Sequence, residues 1–111
     1  MIELDKSDGI WTLRLNRPDK ANAVTHQMLS DLAEHAEAAQ DASVLILTGT
    51  GKAFSAGMDL DAAKAGLATD PVWERLSGAI AALPCLTIAA LNGTVAGGSI
   101  GMVLALSLIH I

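Results

Sequence analysis

The chain has 111 residues, of which 51% are hydrophobic and 17% charged, so it is too short for two ordinary domains and too apolar for a disordered segment. Its net charge of -5 at pH 7 comes from twelve Asp and Glu residues against seven Lys and Arg. This balance argues against a nucleic-acid-binding surface or a polybasic membrane anchor. The expected partner is a small molecule or another protein.

Three features bear on the cellular setting. The single cysteine, Cys85, has no second Cys for a disulfide and no clustered His or Cys for a metal site, so we expect it to be buried and inert. The first six residues lack the basic and apolar regions of a secretion signal, which favours a cytoplasmic protein. The uncharged stretch 76–111 is interrupted by Pro84 and Asn92-Gly93, which favours buried strands and helices over a membrane span.

Hydrophobic periodicity predicts the elements of the first half of the chain. Alternation over residues 10–15, after a turn-forming Ser-Asp-Gly sequence, predicts a strand that pairs with residues 2–4 in a hairpin. Thr25 is suited to cap a helix whose apolar residues follow helical spacing to about Ala39. The apolar run 44–48 is typical of a strand buried on both faces.

The second half adds two helices, a strand and a last helix. Residues 59–65 form a short predicted helix, and Thr69 or Asp70 is suited to cap a longer one. A second buried strand is predicted over 86–91, and a glycine-rich turn then leads into a helix from Gly98. The longer helix is expected to turn inward Trp73, Leu76, Ile80 and Leu83. This order of elements indicates an α/β fold.

Two glycine-rich loops follow the predicted buried strands, where ligands bind in open α/β folds. The first, residues 48–60, contains Gly51-Lys52 but has Ile46 in place of the first Walker glycine and Ala53 in place of the Mg-binding Ser or Thr. We therefore interpret it as a turn followed by a helix cap at Asp59.

The second loop, residues 92–101, brings adjacent glycines to the start of a helix. Unpaired N–H groups there favour a developing negative oxygen, which makes this a candidate oxyanion site. The same loop contains G-x-S-x-G over 97–101, the nucleophile elbow of α/β hydrolases, so a serine hydrolase using Ser99 is an alternative. The residues between strand and motif, and the lack of a downstream acid or of any downstream His except His110, favour Ser99 as a small helix-start residue.

Three motifs, in this order, resemble those of the crotonase superfamily, also called the enoyl-CoA hydratase/isomerase family. They are Asn16-Arg17-Pro18 with Asn22-Ala23, then Ala53-Phe54-Ser55-Ala56-Gly57-Met58-Asp59-Leu60, then Asn92-Gly93 through Ala96-Gly97-Gly98. The resemblance runs from about residue 10 to 105 and covers less than half of the usual family length. It implies a crotonase-like ββα spiral, present here as its N-terminal portion only, in a partial domain over residues 1–105.

The resemblance also implies an enzyme that acts on acyl-CoA thioesters in fatty acid metabolism, with coenzyme A as part of the substrate and no separate cofactor or metal. The backbone N–H groups of Met58 and Gly98 would form an oxyanion hole, with the Met58 side chain free to vary and glycine at 98 required for close approach and conformation. The path of CoA would be lined by Lys20, Ala21, Ala23, Ala56, Asp59 and Leu60. Lys20 is either a phosphate ligand or a solvated surface lysine. The resemblance further implies that residues 1–105 are part of a longer protein, called the parent below. The full-length parent is expected to be a cytoplasmic homotrimer or hexamer.

Two departures from the family pattern limit the reaction. Gly101 stands where the family's hydratases carry a glutamate, and their second glutamate would lie beyond Ile111. Water addition by two glutamates is therefore not expected of the parent, and the isomerase, dehalogenase-like, decarboxylase-like and hydrolase chemistries of the family stay open. The fragment itself is expected to be inactive, and a truncated reading frame without function is the non-enzyme alternative.

The last six residues, 106–111, read Leu-Ser-Leu-Ile-His-Ile and do not fit the family pattern. The transposon-end adapter used in short-read library preparation would encode the same six residues. We therefore interpret them as a non-native tail, in which His110 has no function. A genuine apolar strand is the alternative.

Overall fold

The computed structural model describes residues 1–111 as a mixed α/β chain with two sheets. The strands are β1 Ile2–Ser7, β2 Ile10–Leu15, β3 Val44–Gly49, β4 Ala53–Ser55, β5 Leu86–Ala90, β6 Thr94–Val95 and β7 Leu108–His110. The α-helices are α1 His26–Ala38, α2 Leu60–Lys64, α3 Val72–Ala81 and α4 Ser99–Leu104. Short 3₁₀ turns lie at Pro18–Lys20, Ala39–Asp41 and Leu67–Thr69. The predicted α/β class is confirmed.

The larger sheet has five strands in the order β1-β2-β3-β5-β7. Strands β1 and β2 form the predicted antiparallel hairpin, and its turn residues Asp8 and Gly9 have φ angles of 52° and 83°. Two consecutive positive φ values are typical of the tight turn whose twist matches that of the strands. The other neighbours, β2 with β3, β3 with β5 and β5 with β7, are parallel. The carboxyl ends of β2, β3 and β5 therefore meet at one edge of the sheet.

One hydrophobic core joins this sheet to α1 and α3. In β3, Leu45 and Leu47 are buried, whereas Val44 and Ile46 are only half-buried. The prediction that β3 is buried on both faces is therefore wrong for this chain, because alternate residues point to opposite faces and only one face packs into the core. The predicted buried strand over 86–91 shows the same asymmetry.

The predicted helix caps are confirmed. Each cap oxygen accepts a hydrogen bond from a backbone N–H in the first turn, which satisfies a donor that the helix itself leaves unpaired. The pairs are Thr25 with Met28 at 3.2 Å, Asp59 with Ala62 at 3.0 Å, and Asp70 with Val72 at 2.8 Å. In α3, Leu76 and Ile80 are buried as expected, but Trp73 is only half-buried.

Two features of the structure differ from the predictions or were not foreseen. Cys85 is half-buried rather than buried, because it precedes β5 at the end of a turn and not inside an element. Strands β4 and β6 pair in a second, parallel sheet. They have three and two residues, which is too short for a periodic pattern to mark them.

The tail 106–111 contributes β7, which pairs with the edge of β5. The hydroxyls of Thr87 and Ser107 are 2.9 Å apart, and the Ser107 amide donates to the Thr87 hydroxyl at 2.8 Å. The side chains of β7 are exposed. The interpretation of this segment as non-native stays a prediction.

Large apolar side chains lie exposed on α4 and on the last two strands of the larger sheet. They are Leu86, Ile100, Leu104, Leu108 and Ile109, each at least 42% exposed. No helix of the chain has both the length and the apolar character needed to cross a bilayer. Exposed apolar surface beside an open strand edge promotes association between chains.

We expect purified residues 1–111 to self-associate or to form a molten state, because these apolar surfaces and the β7 edge have no covering layer. Size-exclusion chromatography, dye binding and thermal unfolding measure this directly. A monodisperse monomer that unfolds in one sharp cooperative transition would contradict the expectation.

Candidate active site

An ion pair joins the loop after β2 to the start of α2. The Arg17 guanidinium Nη1 donates to Asp59 Oδ2 at 2.9 Å and to the Ala23 carbonyl at 3.0 Å. Both charged side chains are mostly buried, with 19% and 18% exposed. The amide of Ala62 and the guanidinium of Arg17 hold the pKa of the Asp59 carboxyl below its ordinary value of 3.8. One carboxylate oxygen of Asp59 thus caps the start of α2, and the other pairs with the Arg17 side chain.

Asn22 ties the same loop to the segment after β3. Its side chain is fully buried, and Nδ2 donates to the carbonyls of Thr50 and Ala53, both at 2.9 Å. Its Oδ1 accepts from the Arg17 amide at 2.8 Å. Asn22 has a φ of 56°, which asparagine tolerates better than most residues. Every side-chain group of this asparagine is used to hold two loops together.

Asn92, after β5, holds the segment following β3 from its other side. Its Nδ2 donates to the carbonyls of Gly51 and Ala53 at 2.9 and 3.0 Å, and its Oδ1 accepts from the Gly49 amide at 3.1 Å. A Cβ on the next residue, Gly93, would lie 1.9 Å from the Lys52 carbonyl oxygen. Only glycine fits there, and the reason is this close approach of two backbones.

The loops before α2 and before α4 touch each other. Gly57 has a φ of 104°, and a Cβ on it would lie 3.0 Å from the Ala96 carbonyl oxygen. Gly97 has a φ of 58°, and a Cβ on it would lie 3.5 Å from the Gly57 Cα. Both positions require glycine for conformation. Their contact brings the backbone at Met58 next to the backbone at Gly98.

Hydrogen bonds on both sides fix the backbone around Met58. Val24 donates to the Gly57 carbonyl at 2.8 Å and accepts from the Asp59 amide at 2.9 Å. Neither the Met58 amide nor the Gly98 amide donates to any acceptor in the chain. The Met58 Cγ lies 3.8 Å from the position that a Cβ on Gly98 would take. Two free N–H donors therefore lie on neighbouring loops.

The conformational reason expected for glycine at 98 is wrong, the expected close approach of a substrate stays a prediction, and the structure shows a further reason. Gly98 has φ and ψ of -60° and -22°, which any residue adopts, so no conformational requirement exists there. Close packing does exist, because a Cβ would lie 3.1 and 3.2 Å from two ring carbons of Trp73. The special conformation expected at this glycine belongs to its neighbour Gly97, which has the positive φ.

An open cavity of about 480 Å³ lies beside Met58. Six of the eight predicted site residues line it: Lys20, Ala23, Ala56, Met58, Asp59 and Leu60. Gly98 is not part of the lining, and neither is Ala21, whose carbonyl accepts a hydrogen bond from the Ala56 amide at 2.9 Å. Two further lining residues on α2, Asp61 and Lys64, were missed. Lys64 was foreseeable, because it lies four residues after Leu60 and so shares its helix face.

Ser99 is the first residue of α4 and is fully buried. Its hydroxyl is hydrogen-bonded to the carbonyl of Ala96 and lies 3.4 Å from that of Ser55. A nucleophilic serine needs a base within hydrogen-bond reach, and the partners of Ser99 are backbone carbonyls. This geometry is that of a helix-start residue.

A family model for enoyl-CoA hydratase/isomerase matches residues 5–110. The chain belongs to this family. It is 39% identical to a probable enoyl-CoA hydratase of Mycobacterium tuberculosis, over 95% of the chain and 43% of the relative. It is 33% identical to a 4-chlorobenzoyl coenzyme A dehalogenase of Arthrobacter, over 96% of the chain and 43% of the relative.

Solved structures agree. The crystal structure of an enoyl-CoA hydratase from Mycobacterium avium subsp. paratuberculosis superposes with a TM-score of 0.89 at 29% identity, covering 97% of this chain and 45% of that one. The crotonase fold is therefore confirmed, as its N-terminal portion. The chain spans less than half the length of the relatives that it matches.

We expect the Tm of the full-length parent to fall less on acidification in the Asp59→Asn variant than in the wild type. The unfolded Asp59 carboxyl has the higher pKa and binds a proton first, so the Arg17 pair stabilises the native state above about pH 4 and less at lower pH. Asparagine retains an oxygen for the Ala62 amide and loses the charge-assisted hydrogen bond with Arg17, so the helix cap is kept while the ion pair is removed. The measurement is Tm from pH 6 to 3, with Asp41→Asn as an exposed, unpaired control. Parallel curves for the Asp59→Asn variant and the wild type would contradict this assignment.

Proposed function

We propose that this chain is the oxyanion-binding part of an enzyme that acts on acyl-CoA thioesters, with the Met58 and Gly98 amides polarising the thioester carbonyl. The observation that carries the proposal is the pair of neighbouring amides without an internal acceptor, next to a cavity of about 480 Å³. The Arthrobacter relative is named for its action on a coenzyme A thioester, 4-chlorobenzoyl coenzyme A. Coenzyme A is then part of the substrate.

The two amides would act on charge that develops during the reaction. When a thioester becomes an enolate or a tetrahedral intermediate, negative charge grows on its oxygen. Fixed N–H donors bind this charged oxygen more strongly than they bind the carbonyl oxygen of the ground state. The donors help only if they are held in place beforehand. Arg17, Asn22 and Asn92 supply this rigidity through side-chain hydrogen bonds to the loop backbones, partly buried for Arg17 and Asn22 and solvent-exposed for Asn92.

The cavity beside Met58 is the proposed entry path of coenzyme A. Lys20 and Lys64 line it and are suited to the phosphate groups as point charges. Leu60, 79% exposed, offers an apolar surface at the same place. Asp59 contributes its backbone and the helix cap, because its carboxylate is paired with Arg17.

The side chain that moves protons is proposed to lie outside residues 1–111. A Cβ on Gly101, in the family's glutamate position, would have no neighbouring atom within 4 Å, so there is room for a side chain but none is present. The parent would therefore carry out an isomerase, dehalogenase-like, decarboxylase-like or hydrolase reaction with a downstream acid or base, as a homotrimer or hexamer. The fragment alone would polarise a thioester without completing the reaction.

Two substitutions at Gly98 in the parent distinguish the effect of losing the amide N–H from the effect of adding side-chain volume. Gly98→Ala adds a Cβ and keeps the N–H, whereas Gly98→Pro adds a ring and removes the N–H at a φ that proline adopts. We expect the proline variant to lose about 10²–10³-fold more kcat than the alanine variant on the parent's best acyl-CoA, the effect of one oxyanion donor. Met58→Leu is expected to cost far less, because it leaves the backbone unchanged.

Thermal unfolding of each variant controls for a general loss of structure. Equal kcat/KM for the alanine and proline variants, both folded, would contradict the role of the Gly98 amide. A loss for Met58→Leu as large as that for proline would show that the side chain matters instead.

Ser99→Ala distinguishes this proposal from a serine hydrolase. We expect the variant to retain acyl-CoA turnover within about tenfold, because Ser99 packs at a helix start and carries no nucleophilic role. A fluorophosphonate probe tests the same point chemically. Covalent labelling of the parent at Ser99 would overturn the proposal.

A further inference from the structure

The indole of Trp73 lies against the proposed oxyanion site without taking part in the hydrogen bonds that hold it. Its ring carbons Cη2 and Cζ2 lie 3.1 and 3.2 Å from the position of a Cβ on Gly98. Backbone geometry puts that position about 2.5 Å from the Gly98 nitrogen, so the ring lies within roughly 6 Å of the amide. A carbonyl oxygen bound there would bring its substituents close to the indole.

Trp73 is held in one orientation. Its ring Nε1 donates to the Leu67 carbonyl at 2.9 Å, and Leu67 is itself buried. The ring packs partly into the core but stays half-buried. A fixed aromatic ring with an accessible part is a typical wall of a small-molecule site.

The position of Trp73 separates it from the proposed coenzyme A path. Met58 lines the cavity together with Lys20 and Lys64, whereas Trp73 does not. A thioester that enters along the cavity and binds both amides therefore directs its acyl group past Met58, towards Gly98 and the indole. We propose, resting on the function proposed above, that Trp73 is a specificity-determining residue that limits the size of the acyl group next to the thioester carbonyl.

The test compares dissociation constants of saturated acyl-CoAs for the full-length parent and its variants. Acetyl-CoA, hexanoyl-CoA, benzoyl-CoA and free CoA serve as probes, measured by titration calorimetry. The variants are Trp73→Phe and Trp73→Ala, and the matched control is Trp11→Phe, which changes the chain's other tryptophan on β2. Thermal unfolding of each variant reports its stability separately.

We expect Trp73→Ala to shift the affinity ratio of benzoyl-CoA to acetyl-CoA by at least about tenfold in favour of the bulky group, because a single methylene in an apolar pocket already changes discrimination by about tenfold and the indole is much larger. Trp73→Phe should shift it less, in the same direction. Free CoA should bind within about twofold of wild type. Trp11→Phe should leave every ratio unchanged.

Each other outcome has a distinct meaning. An unchanged ratio in a folded Trp73→Ala variant, with acyl-CoA still bound, overturns the role of Trp73 and leaves the oxyanion proposal standing. If Trp73→Ala does not fold, an unchanged ratio in Trp73→Phe overturns it equally. A wild-type parent that binds no acyl-CoA at all overturns the proposed function, and this inference with it.

Discussion

The candidate site depends on the way two asparagines hold one short segment of backbone. Asn22 follows β2 and Asn92 follows β5, and both donate to the carbonyl of Ala53, which follows β3. This shared acceptor joins the loops at the carboxyl ends of three parallel strands. Asn22 is fully buried, and a buried polar group is costly unless it is paired, so its hydrogen bonds favour one well-defined arrangement of the loops. The positions of the free Met58 and Gly98 amides depend on these hydrogen bonds.

The side chains of the three sequence motifs act mainly on the protein's own backbone. Arg17 and Asp59 fix the start of α2, and Ser55 donates to the Asn22 carbonyl at 2.9 Å while accepting from the Gly57 amide at 3.2 Å. The groups left free to meet a ligand are main-chain amides. A signature rich in Asn, Arg, Ser and Asp is thus explained by the structure it holds, and in the proposed function these side chains would position the amides and not contact the reacting oxygen.

Local signals in the sequence were enough to predict the hairpin, the helix caps and the loops that carry the site. Turn residues, capping side chains and 2- or 3.6-residue periods act over a few neighbours, so they are visible without the fold. The contacts of Trp73 with Gly98, the separate β4–β6 sheet and the one-sided burial of β3 depend on residues far apart in the chain. Gly97 and Gly98 show where prediction from the sequence ends. They are the same residue type side by side, and only the structure shows that Gly97 has the positive φ and that Gly98 packs beside Trp73.

The backbone donors of the proposed reaction and its ionisable groups do not lie in the same part of the chain. The donors that would polarise a thioester, and the hydrogen bonds that hold them, all lie within residues 16–98. The helix that follows has no ionisable side chain, and its exposed Ile100 and Leu104 have no covering layer. In the proposed function, polarisation would use groups of this half of the family fold, whereas proton transfer would need an ionisable side chain that α4 does not supply. Electrostatic binding of an oxyanion is stronger in a dry surrounding, so in the proposed function the two amides would act more strongly once the exposed apolar surface beside them is covered.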